Sequence, residues 1–188
     1  RYGGSQPSRV SPIITWVVRE EGEIWGSDDD TDIEYIYQHL LQQHETSILS
    51  AEQIRDGWLS HIYSDDNSPH IVRGQPENFL WVSNQRAFDL MYEQGLLPPA
   101  TSDPENNEHY DMIDAQLTTE VFGLYAPGRP DMALKMAYLP VRVTAHDKAA
   151  LAAEFYIIMH SLAAVADPGK SRKEQIHEMA AQARALTR

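Results

Sequence analysis

The stretch "GSDDDTDIEY", Gly26 to Tyr35, sets Asp28, Asp29 and Asp30 side by side and follows them with Thr31. Adjacent carboxylates repel one another, so water, the positive end of a helix or a cation must offset them. A carboxylate in a first helical turn gains roughly 0.3–1 kcal/mol from the helix dipole. One aspartate is enough for a cap, and two more add repulsion. The other reading is a hard-cation site, because magnesium takes oxygen ligands and keeps several waters. Spacing alone leaves both open. A cation site built this way also needs an acidic group facing it from a distant part of the chain.

Helices must position these groups. Ile33, Ile36, Tyr37, Leu40 and Leu41 follow the i, i+3, i+4, i+7, i+8 pattern of one helical face. "SAEQIRDGWLSHIY" opens with a capping-box pair, Ser50 and Gln53, and carries Ile54, Trp58 and Ile62 on one side. Phe79 to Gln94 reads as a helix stopped by Gly95, then by Pro98 and Pro99. Met112, Ile113, Gln116, Leu117, Glu120, Val121 and Leu124 form a further stripe, ended by "APG". Pro130 suits a first helical turn, Asp147 can cap a strongly apolar helix to about Val165, and Ser171 with Glu174 suggests another capping box. "SDDNSPHIVRGQP" and "ATSDPENNEH" read as polar loops, and "PIITWVV" has the look of a short strand. The expectation is an all-α domain over 1–188 with seven or so helices, preceded by an extended or looped segment over 1–26.

The chain has 188 residues, ordinary proportions of apolar (42%) and charged (23%) residues, and a net charge of −13. That charge argues against nonspecific binding to nucleic acid, which needs clustered Lys and Arg. No run of about 18 apolar residues suggests a membrane span. The absence of cysteine excludes disulfides, thiolate nucleophiles and cysteine zinc sites, and fits a cytoplasmic setting.

Asp28, Asp29 and Asp32 also spell DDxxD, so the segment resembles the metal motif of class I terpenoid synthases, another all-helical family. The second metal motif of that family is not apparent, since "DKAALAAE" has no hydroxyl where one is needed.

A fuller resemblance joins "SDDDTDIEY" to "LLPPATSDPENNEHYDMIDAQLTTEVFGLYAPGRPDMALKMA" and "VRVTAHDKAALAAEFYIIMHSLAA". In this order, over about Ser27 to Ala164, the segments resemble the ADP-ribosylglycohydrolase family. The resemblance implies an orthogonal multi-helix bundle. It also implies a magnesium-dependent hydrolase that cleaves ADP-ribose from a modified acceptor with a pair of Mg2+ ions. Asp28 falls where the family often has Ser or Thr, and Asp29 and Asp30 fall on its Asp-Asp pair, so all three resemble metal ligands. Gln116 and Glu120 lie in a helix similar to one lining the family's ligand cleft. Pro127 and Gly128 match the turn after it, and His146 matches a histidine on the ribose or adenine side. Gln116 and Glu120, one turn apart, could equally bond each other or a cap, and a lone His before a helix is commonly an ordinary polar residue.

The family's N-terminal Gly-Asp segment, with the acid that acts near the scissile bond, and its second metal motif are both absent from these residues. The chain therefore reads as a piece of such a bundle, incomplete at both ends, with no assignable catalytic residue. It would expose an apolar face suited to the missing remainder or to self-association. The competing expectation is a non-catalytic, ADP-ribose-binding or crystallin-like structural member.

Overall fold

Ile33, Ile36, Tyr37 and Leu40 all turn inward from one helix, as their spacing requires. The computed structural model describes residues 28–62, 70–72, 75–77 and 80–187. "PIITWVV" and the rest of the segment 1–26 lie outside the described residues. In chain order the elements are α1 (Asp29–Gln43), α2 (Ala51–His61), β1 (His70–Val72), β2 (Gln75–Glu77), α3 (Val82–Gln94), α4 (Asp114–Thr118), α5 (Val121–Tyr125), α6 (Pro130–Val141), α7 (Asp147–Ala163) and α8 (Arg172–Leu186). A 3-10 turn at Ala100–Ser102 follows α3. The all-α reading holds apart from one small hairpin. β1 and β2 pair antiparallel with His70 opposite Glu77, at the end of the stretch that reads as a polar loop and one residue past it. No helix among the described residues is long and apolar enough to cross a membrane.

Local chemistry sets several helix ends. Ser50 accepts from the Gln53 amide at 3.2 Å, and Gln53 accepts from the Ser50 amide at 2.9 Å, completing the capping box of α2. Gly95 takes φ +64 and closes α3 in the left-handed conformation that glycine adopts without steric cost. α3 begins at Val82 instead of Phe79. Two expected caps are not made. Asp147 lies inside α7, and His146 occupies the cap position without a side-chain bond. Ser171 precedes α8 without capping it, while the Gln175 amide folds back onto the backbone of Asp167.

α7 is the hub, packing against α4, α5, α6 and α8. It is apolar nearly all round, and buries Ala150, Ala153, Ile157, Ile158 and Ser161 while Leu151 and Tyr156 stay exposed. In the core the Tyr37 ring packs against Trp58 and Phe122, with centroids 6.5 and 5.5 Å away.

The stretch 112–124 departs most from its reading. It forms two short helices, broken where Thr119 leaves helical geometry (φ −130°, ψ −3°). The buried face is Asp114, Ala115, Thr118, Thr119, Phe122 and Gly123. Ile113 and Leu124 are 55% and 54% exposed, with Leu117 also on the outside. Close approach to α7 needs small side chains, and that demand outweighs the larger apolar area of the other face. A Cβ on Gly123 would stand 2.7 Å from the His160 Cβ and 2.9 Å from the Ser161 amide nitrogen. The following turn is tied to the same helix: the Gly128 amide donates to the Ser161 carbonyl at 2.8 Å, and the Arg129 amide to the Ser161 hydroxyl at 3.1 Å.

Candidate functional site

Three aspartates open α1, and the fold treats each differently. Asp28 is the N-cap: its Oδ1 accepts from the Thr31 amide at 3.1 Å. Asp29 reaches across to α3, where its Oδ2 accepts from the Trp81 backbone amide at 2.6 Å and from Asn84 Nδ2 at 2.8 Å. α3 has no side-chain cap of its own, so Asp29 serves its start from another helix. Asp30 has no such donor. Burial, then the charges of Asp29, Asp28, Asp114 and Glu34, push its carboxyl up to about 7. Repulsion within the triplet is thus relieved by donors at two positions and, below about pH 7, by a proton at the third.

Asp114, at the start of α4, is the distant acid that faces this turn. It is 2% exposed, and neither carboxylate oxygen has a hydrogen-bond partner. Burial raises its pKa most; the Ser83 hydroxyl and its own backbone amide lower it, the Asp29 charge raises it, and His109 lowers it. Ser83 lies close enough to lower that pKa but outside hydrogen-bonding geometry. Ser83 and Asn84 are themselves buried, so the beginnings of α1, α3 and α4 converge on a polar interior.

One turn further along α1, Glu34 Oε1 accepts from the Val121 amide at 3.2 Å and so caps α5, which has no cap of its own. Burial raises the Glu34 pKa, and the neighbouring Glu120 raises it further. Glu120 therefore lies near enough to Glu34, at the edge of the acidic cluster, for its charge to be felt there. Gln116 is half-buried on α4, between Asp114 and Glu120 in the chain. Gly128 sits apart, in the turn docked on α7, with φ +66 and Val165 beside it. His146 lies at the start of α7; its amide donates to the Tyr110 carbonyl at 3.0 Å, and its ring meets the Tyr110 ring edge-on. Asp32, the last acid of DDxxD, is exposed in the first turn of α1.

The oxygen-only donor set suits a hard cation and not a soft one. The orphaned oxygens of Asp114 fit such a group, because a buried carboxylate without a partner is costly. Among the described residues, however, no three His, Cys, Asp or Glu side chains converge closely enough to hold a metal ion by themselves. Any ion would need neutral oxygens as well.

Asp114, Glu34, Ser83 and Asn84 do not stand out in the linear chain. The signal for Asp114 is a small-residue face, Asp114, Ala115, Thr118, Thr119 and Gly123, running opposite the apolar stripe.

The cluster makes stability depend on pH. Asp30 keeps its proton to about pH 7 when folded but releases it near 3.8 when unfolded. Between those values the folded state holds more protons, so stability falls as pH rises through this window. Asp30→Asn should remove that part of the decline, leaving a variant that gains on the wild type as pH rises from 3.8 to about 7. Thermal melts across the window check this; parallel curves for the two chains would exclude a perturbed Asp30.

No protein-family model, curated protein or solved structure matches this chain.

Proposed function

We propose that this chain carries the acidic face of a magnesium-dependent hydrolase that releases ADP-ribose from a modified acceptor, on a bundle of the ADP-ribosylglycohydrolase type. The observation that supports the reading most is Asp114. A cation site at a helix start needs an opposing acid from elsewhere in the chain, and Asp114 stands against Asp29 and Asp30 with both oxygens unpartnered. In this reading Asp28, Asp29 and Asp30 hold magnesium. Magnesium bound there supplies orientation of the ribose hydroxyls and polarisation of the attacking water.

The rest falls to the chain. Its carboxylates oppose the positive charge that builds at the anomeric carbon as the glycosidic bond opens. Gln116 and Glu120 border the ADP-ribose, with Glu120 at the acidic edge near Glu34, whose pKa its charge raises. His146 and Gly128 take the ribose or adenine side, and backbone amides receive the diphosphate. The cysteine-free chain suits the cytoplasm.

Incubation with protein ADP-ribosylated on Arg or Ser, with and without EDTA, tests the reading. Release of ADP-ribose that EDTA stops and magnesium restores is expected. Release indifferent to chelator would remove the metal from the account, and no release would end it as a hydrolase.

A non-catalytic role is the second reading, favoured by the lack of three converging metal-ligating side chains among the described residues. Heat on titrating ADP-ribose without turnover would point to a binding module, and no heat from ADP-ribose or magnesium to a structural protein.

A further inference from the structure

We propose that His39 of α1 and His61 of α2 form a two-histidine site for a borderline transition-metal dication, with Zn2+ as its representative and water completing the shell. This ion differs from magnesium in chemistry and in its place on α1, and the site is independent of the hydrolase reading.

The two rings come from separate helices and meet edge-on, with centroids 4.9 Å apart and planes at 84°. A zinc–nitrogen bond is about 2.0–2.1 Å, and the imidazole centroid lies about 1.1 Å beyond the nitrogen. Two imidazoles on one ion therefore have centroids about 4.5 Å apart at a right angle and about 5.2 Å apart at a tetrahedral angle. The observed distance falls between these limits. The helices already stand at the separation a shared ion needs, and turning the exposed rings converges their nitrogens without moving either backbone.

The helix crossing fixes this spacing. His39 is next to Leu40, whose side chain occupies the place a Cβ on Gly57 would take, and His61 lies one turn beyond Gly57 in α2. On the buried side Tyr37 packs against Trp58. Neither ring of the pair is engaged by an acid: the histidines that pair with carboxylates among the described residues are His109 and His146. Partial burial, then the charge of His39, holds the His61 pKa below its ordinary value, which favours the neutral ring that a metal requires.

Imidazole suits zinc, nickel and copper, whereas magnesium prefers oxygen. Among the described residues no third His, Cys, Asp or Glu converges on the pair, so water fills the remaining positions. An ion held here ties α1 to α2 and stabilises the folded chain by mass action.

The test is titration of the untagged, metal-free full chain with Zn2+ by calorimetry and with Cu2+ under electron paramagnetic resonance, where nitrogen hyperfine structure counts the imidazole ligands. One ion per chain is expected, with two imidazole nitrogens on copper and no competition from excess Mg2+. His39→Ala and His61→Ala should each weaken Zn2+ binding at least about tenfold, since losing either ring ends the chelate. His44→Ala and His177→Ala, at exposed histidines outside the pair, should leave it unchanged. In EDTA the His39 and His61 variants should melt with the wild type, and Zn2+ should raise the wild-type melting temperature and not theirs.

Zn2+ uptake by His39→Ala and His61→Ala as tight as by the wild type overturns the proposal, placing the ion on other side chains. Copper bound through a single imidazole overturns it too. A wild type that takes up neither ion also overturns it and leaves the ring pair as ordinary aromatic packing. Should an alanine variant fail to fold, His39→Gln and His61→Gln decide by the same criterion. Loss of Zn2+ binding in these variants with magnesium-dependent release of ADP-ribose unchanged upholds both sites; the same loss with no release in any chain upholds this one and removes the hydrolase.

Discussion

On the proposed magnesium-dependent reading, Asp29→Ala is expected to lose metal uptake and ADP-ribose release by at least about a hundredfold, and in any case to destabilise the fold by about 2 kcal/mol. The two losses have different origins. Asp29 Oδ2 accepts from both the Trp81 amide and Asn84 Nδ2, so truncation strands two donors and unties the start of α3 from α1. Hydrogen bonds to a charged acceptor are worth about 1.5–3 kcal/mol each, less where water can replace the acceptor, as at the exposed Trp81 amide. Asn84 is fully buried and has no such substitute. Asp29→Asn separates the effects. Its carbonyl oxygen can still accept both bonds, so it should melt close to the wild type, while the lost charge should still weaken metal uptake. Melting curves with calorimetric magnesium titrations on both variants check this. If Asp29→Asn bound magnesium as tightly as the wild type, Asp29 would be only a bracket between two helices.

Gly123→Ala should be among the most destabilising single methyl additions to the bundle, by about 3 kcal/mol. For a chain of this length that lowers the melting temperature by about 6–12 °C. The added Cβ would meet α7 on its backbone, at the Ser161 nitrogen and the Ile157 carbonyl oxygen, as well as at the His160 Cβ. Backbone atoms of the central helix cannot swing aside as a side chain can. α5 would have to lift from α7, which would also draw Val121 away from Glu34 and loosen the acidic edge of the site. Gly128→Ala is the useful contrast. The methyl group there meets only Val165 side-chain atoms, nearest at 3.2 Å, and the main cost is φ +66, about 1 kcal/mol. Should Gly128→Ala nonetheless impair the proposed ADP-ribose binding far more than stability, the proposal that Gly128 lies at a ligand site would be supported.

These expectations divide along a line that separates local from distant interactions. The spacing of Ile33, Ile36, Tyr37 and Leu40, the Ser50–Gln53 box and the glycine stop at Gly95 act within a turn or two of chain, and all were legible in the linear order of residues. The aspartate triplet at a helix start was equally visible, and so was the need for something to relieve it. Which carboxylate would be relieved, and by what, was not. Asp29 is served by α3, Asp30 is pressed by burial first and then by the charges of Asp29, Asp28 and the distant Asp114, and Glu34 caps a helix in a different part of the bundle.

The misreading of 112–124 has the same source. Periodicity marks the face with the greatest apolar area, but the partner decides which face is buried. α7 is apolar almost all round and approaches closely, so it accepts Ala115, Thr118 and Gly123 and leaves Ile113 and Leu124 outside. That rotation is what carries Asp114 into the interior. The sequence by itself determined the helical character and the concentration of charge at Asp28–Asp30. Tertiary packing alone decided which acids face one another, because that depends on how close two helix backbones can come.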